Sequence, residues 1–178
     1  MRKVLLALLP LALLLCATQT VRSQEQRQSP HEKATVTLGG ATITVDYGRP
    51  YMKGRRIFGG LEPYGKVWRT GADEATTFTT DKDLMLGALH VPAGTYALFT
   101  IPGEKEWTIS LNKVAKTFGA FDYEKNKAQD LGQLKAPVEK LSMPVEQLTI
   151  SVLSKGGKNG ALRIVWADTS VSAPIMVH

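Results

Sequence analysis

The stretch TVTLGGATITVDY, residues 35–47, decides how this chain is read. Ala41, Ile43, Val45 and Tyr47 fall on one face, and Thr42, Thr44 and Asp46 on the other. Successive residues of a strand point to opposite faces, so this period of two marks a strand with one buried side. Residues 35–38 alternate in the same way, and Gly39-Gly40 separates the two runs. Paired glycines accept the positive φ angles of a tight hairpin turn, so the segment predicts an antiparallel hairpin.

Working toward the C-terminus, the same pattern predicts strands at 75–80, 84–89, 95–101, 107–111, 131–138, 145–153, 161–166 and 170–177. Asp81-Lys82-Asp83, Pro92-Ala93-Gly94, Pro102-Gly103 and Asn159-Gly160 are turn signals between them. Residues 112–130 are polar and mixed, with room for a short helix around 114–118 or an extended loop. No internal repeat is visible. Many short strands and frequent Gly/Pro turns predict one all-β domain over residues 34–178, an antiparallel β-sandwich of jelly-roll type.

Working toward the N-terminus, residues 24–33 are polar, contain Ser29-Pro30 and read as a disordered leader. Before them, Met1-Arg2-Lys3 is followed by an apolar run from Val4 to Ala17. A basic start and a short apolar core are the marks of a secretory signal peptide over residues 1–23, which predicts a periplasmic or extracellular protein. The run is shorter than the roughly 20 residues of a membrane span. Leu15 precedes Cys16 where a lipoprotein signal carries a small residue, which disfavours a lipid anchor. Cys16 is the only cysteine, so the processed protein has no disulfide, thiol nucleophile or zinc-thiolate site. Loss of Arg2, Lys3 and Arg22 takes the 22 basic residues to 19 against 16 acidic ones, leaving +3. That charge is too mild to point to nucleic acid or to a membrane surface.

Residues 48–72 break the strand pattern. They hold Gly48, Gly54, Gly59, Gly60, Gly65 and Gly71, with Arg49, Lys53, Arg55, Arg56, Lys66 and Arg69. The segment reads as one long structured loop, with a helical turn near 57–61. A loop this long in a compact domain is functional or disordered. Tyr51, Phe58, Tyr64 and Trp68 need something to pack on, which argues for order.

The runs VDYGRPYMKGRRIFGGLEPYGKVWRTGADEATTFTT (45–80) and VPAGTYALFTIPGEKEWTISLNK (91–113), with PVEQLTISV (144–152) and IVWADTSVSAPI (164–175), resemble a family of secreted bacterial proteins catalogued as domain of unknown function 2911. The motif Tyr47-Gly48-Arg49-Pro50, Gly54-Arg55, Pro63-Tyr64-Gly65 and Trp68-Arg69-Thr70-Gly71-Ala72 carries the resemblance. It implies an exported β-rich domain and no established activity. The family pattern has Asn-Glu where this chain has Asp73-Glu74, so the resemblance speaks against a required acid or base at Asp73.

Glu74, Asp73 and Arg69 are the candidate catalytic residues, and Arg49, Lys53, Arg55, Tyr64, Trp68 and Arg69 the candidate ligand-binding ones. Arginines hold anionic groups with paired donors, and aromatic faces stack on sugars. Each feature also has an architectural alternative. Glu74 could pair with Arg49, Arg55 or Arg69 and pin the loop. Thr70 and Asp73 have capping-box spacing. Tyr64 and Trp68 could cap the core, and the cations could form a solvated face. Because adjacent strand residues point apart, Asp73 and Glu74 cooperate only if they precede the strand. His31, His90 and His178 show no ligand spacing, so no metal and no cofactor are predicted. The motifs of serine hydrolases, phosphate-binding loops and zinc proteases are absent.

Three functions fit: an exported module binding a small polar or carbohydrate-like ligand through residues 48–76; a metal-independent lyase, isomerase or hydrolase using Glu74 and Asp73 with Arg49 and Arg69; or a structural envelope protein.

Overall fold

The structure, a computed structural model, describes residues 29–178. The signal peptide and residues 24–28 of the leader lie outside the described residues. The fold is antiparallel and all-β, as the alternation predicts. Its strands are β1 (His31–Leu38), β2 (Ala41–Gly48), β3 (Ala72–Thr80), β4 (Leu84–Leu86), β5 (Leu89–Val91), β6 (Gly94–Ile101), β7 (Glu106–Asn112), β8 (Asp130–Ser154) and β9 (Asn159–Val177). They form one sheet in the order β1-β2-β3-β6-β7-β8-β9-β4-β5.

The sandwich comes from folding this single sheet on itself. Strand β8 is shared between two neighbours: residues 130–137 pair with β7, and 138–154 with β9. The expected pairs of strands at 131–138 and 145–153, and at 161–166 and 170–177, are therefore two long strands. The bend lies where the β8–β9 register shifts between Lys140 and Thr149, opposite Ala167, whose φ is +52°. Pro144 lacks an amide hydrogen for the ladder, so a bulge is where it fits.

One core joins the layers. Ile43, Val45 and Phe78 from one half meet Leu148, Ile150, Leu162 and Ile164 from the other, all buried. Tyr47 fastens the layers, its buried hydroxyl accepting the Ile150 N–H at 2.9 Å. Leaving water raises the pKa of that hydroxyl. On β6, Tyr96 and Leu98 enter this core, while Ala97 and Phe99 point out under Tyr123 of α1 (Ala120–Asn126). Being covered on both faces explains the apolar run of β6.

Local differences have local causes. Strand β1 begins at His31 rather than after Lys33, because Glu32 and Lys33 pair with Tyr47 and Asp46. The expected 84–89 strand is a small hairpin turning at Gly87, φ +58°. Asn159-Gly160 opens β9, and the turn itself uses Gly156 and Gly157 at φ +98° and +56°. The helix follows the 114–118 segment instead of occupying it. Among the described residues no helix is long and apolar enough to cross a membrane.

Candidate functional site

Residues 49–71 link β2 to β3 as one ordered excursion, tied down at both ends. At its start, Met52 N–H donates to Glu146 O at 2.7 Å, and Leu148 N–H donates to Pro50 O at 3.0 Å. At its end, Trp68 and Thr100 exchange both backbone hydrogen bonds, at 2.7 and 2.9 Å. Between them a hydrogen-bonded turn replaces the expected helical turn. Glu62 N–H donates to Ile57 O and Gly59 N–H to Glu62 O, both at 2.9 Å. A side chain at Gly60 would place its Cβ 2.4 Å from Arg56 O, so only glycine lets the turn close.

These anchors leave a cavity of about 370 Å³, bordered by Tyr51, Lys53, Arg55, Glu62, Arg69 and Trp166. That is the size of a small-molecule site. Burial pushes the Glu62 carboxyl up to about 7, and the Arg69 and Arg55 charges only partly oppose the shift. Glu62 therefore holds its proton about half the time near neutral pH. Arg69 Nε is buried and meets no acceptor among the described residues. A buried charged donor without a partner is costly, and such groups in native proteins call for a specific reason.

The residues predicted from sequence separate into groups. Lys53, Arg55 and Arg69 border the cavity. Arg55 also braces its own loop, donating from Nε to Met52 O at 2.9 Å and from Nη2 to Tyr51 O at 2.7 Å. Arg49 is turned away from the cavity. It pairs with Glu32 and donates to Leu148 O at 2.8 Å and Thr149 Oγ1 at 3.0 Å, clamping β1 to β8. Trp68 is 4% exposed and stacks on Trp166 at 5.8 Å, with Phe58 and Trp107 edge-on, so it has no free face for a ligand. Tyr64 packs against the core and lines a different cavity with Arg56 and Asp168.

Asp73 and Glu74 do not border the 370 Å³ cavity. Among the described residues, Glu74 approaches His31, with Nε2 and Oε2 3.3 Å apart, and forms no ion pair with Arg49, Arg55 or Arg69. The capping-box reading fails as well, because Thr70 Oγ1 donates to Trp68 O in the loop and shares a hydrogen bond with Thr100 Oγ1 of β6, while a strand follows. His31 stands in the first strand and not in a leader. The ladders pair His31 with Gly48 and Gly48 with Ala72, so one row across three strands ends beside Asp73.

Glu62 is the functional candidate that the sequence reading passed over. Its signal was present: it is the only acidic residue between Asp46 and Asp73, in a segment with six cations. One acid among that many bases is placed to be buried against them.

A family model described as "Protein of unknown function (DUF2911)" matches residues 29–175. No curated protein and no solved structure matches the chain.

Proposed function

Because the chain belongs to the DUF2911 family, whose function is unknown and lends no chemistry, we propose from the site alone that this is an exported binding domain. It takes a small polar molecule carrying an anionic group, held in the cavity between Tyr51, Arg55, Glu62 and Arg69. The observation that carries this reading is Arg69, a charged residue that borders a cavity of about 370 Å³ and whose Nε meets no acceptor among the described residues. A carboxylate on the ligand pairs with the Arg69 guanidinium, and Lys53 and Arg55 add charge complementarity. Glu62, when protonated, donates to a ligand hydroxyl or carboxylate. An acidic sugar or a hydroxylated organic acid meets all of these groups.

One observation favours a second reading. A carboxyl held near neutrality can both take and give a proton at working pH, which is what general acid–base catalysis needs. In an enzyme of this kind Glu62 is the acid–base group, in place of Glu74 and Asp73, and Arg69 stabilises developing negative charge.

Calorimetric titration with uronic acids, hydroxy acids, neutral sugars and inorganic phosphate tests the proposal. Saturable binding of an acidic compound, weakened about tenfold or more by Arg69→Met, is expected from loss of a charge-assisted contact. Neutral sugars should bind far more weakly. If every acid fails to bind, or Arg69→Met binds as well as the parent, the proposal is wrong.

A further inference from the structure

We infer that His31, Asp73 and Glu74 form a binding site for a divalent first-row transition metal ion, at the end of the sheet where the starts of β1 and β3 flank the end of β2. The three side chains each offer one donor atom, and these atoms lie within 4.8 Å of one another. His31 Nε2 and Glu74 Oε2 are 3.3 Å apart. Two donors at about 2.0–2.1 Å from one tetrahedral ion stand roughly 3.3 Å from each other, so this pair is already at ligand spacing.

Two observations outside that spacing point to the same site. The first is the support behind the imidazole. Asp46 Oδ1 lies 3.5 Å from His31 Nδ1, and Lys33 Nζ lies 3.3 Å from the other Asp46 oxygen. Metal-binding histidines characteristically turn their second ring nitrogen to a carboxylate, which holds the proton there and leaves the first nitrogen free to coordinate. The second is Asp73 itself. Its Oδ2 is buried with no hydrogen-bond partner among the described residues. A buried carboxylate oxygen without a donor is satisfied by a cation.

The fold explains why two adjacent acids can serve one ion. Between the pairs Asp46–Thr77 and Gly48–Ala72, β2 advances two residues while β3 advances five. The surplus on β3 is a bulge that contains Asp73 and Glu74, and a bulge releases neighbouring side chains from strict alternation. The donor set selects the ion. One imidazole and two carboxylates suit Zn²⁺ or Mn²⁺, and three protein donors are too few for the oxygen cage of Ca²⁺. Three protein ligands also leave coordination positions for water or a small ligand. This site is separate from the 370 Å³ cavity, whose border stops at Ala72.

The test is titration of the purified, untagged, chelator-treated protein with Zn²⁺ and Mn²⁺ by calorimetry. Co²⁺ absorption provides a spectroscopic readout. One ion per chain is expected. His31→Ala and Glu74→Gln should each weaken binding about 100-fold or more. Asp46→Asn, which removes the carboxylate behind the imidazole and its pairing with Lys33 but none of the three ligands, should weaken it about 10- to 100-fold. Arg69→Met should leave metal binding unchanged, so failure of the cavity reading and failure of this one can be told apart. Circular dichroism checks that each variant is folded. The absence of saturable 1:1 binding overturns the inference, and so does binding that His31→Ala and Glu74→Gln leave intact.

Discussion

At the scale of single residues, Glu62 is where burial and charge compete most visibly. Desolvation outweighs Arg69 and Arg55, so the folded carboxyl titrates at about 7 against an ordinary 4.5. Between those values the folded protein binds more proton than the unfolded chain. The contribution of Glu62 to stability is therefore greatest at low pH, falls as pH rises above about 4.5, and levels off beyond about 7. Allowing for the solvent that reaches the carboxyl, the penalty at high pH is about 1–3 kcal/mol. Glu62→Gln removes the charge but keeps the shape. It should exceed the parent in stability by roughly that amount at about pH 8, with the gap closing toward about pH 5. Urea titrations at the two pH values check this, and an equal gap at both would contradict it. A carboxyl kept at a cost to stability is the pattern of a functional group. Of the predicted residues, Lys53, Arg55 and Arg69 were legible as a basic loop surface. Arg49 was not separable from them, because its partner Glu32 lies across the first hairpin.

At the scale of elements, the first hairpin follows from its alternation and its glycine pair, and the structure shows the register those imply. The β3 bulge does not follow in that way. Nothing in ADEATTFTT marks where pairing is interrupted, since a bulge records the partner strand as much as its own sequence. Gly48 is the element-level key to this junction. A Cβ there would lie 2.3 Å from Ala72 O, with the backbone of another strand as the obstacle. Gly48→Ala should force β2 and β3 apart and destabilise the fold by about 1–3 kcal/mol. It should also weaken metal binding, because His31 and Asp73 are placed through this row. Chemical denaturation measures the first effect, and a loss under about 0.5 kcal/mol would show that the strands yield easily.

At the scale of the whole molecule, the excursion of residues 49–71 is held by aromatic packing between the two layers. Trp68 brings the end of the loop onto Trp166 of β9 and Trp107 of β7, with Phe58 between them. Trp68→Ala should cost about 3–5 kcal/mol, and Trp68→Phe markedly less. Equilibrium unfolding distinguishes them, and similar losses for the two would mean that the ring's bulk is not what matters. The strands were readable from the sequence because a period of two is a property of the extended backbone and needs no knowledge of neighbours. The all-β class, most of the turns and the presence of one long ordered loop were determined by the chain in that local way. Which acid meets which base was decided only by the tertiary structure. Arg49 reaches Thr149, His31 reaches Glu74, and Glu62 is enclosed near Arg69 because strand order and register bring distant segments together. Those placements depend on pairing across the folded sheet, and local sequence periodicity carries no record of it.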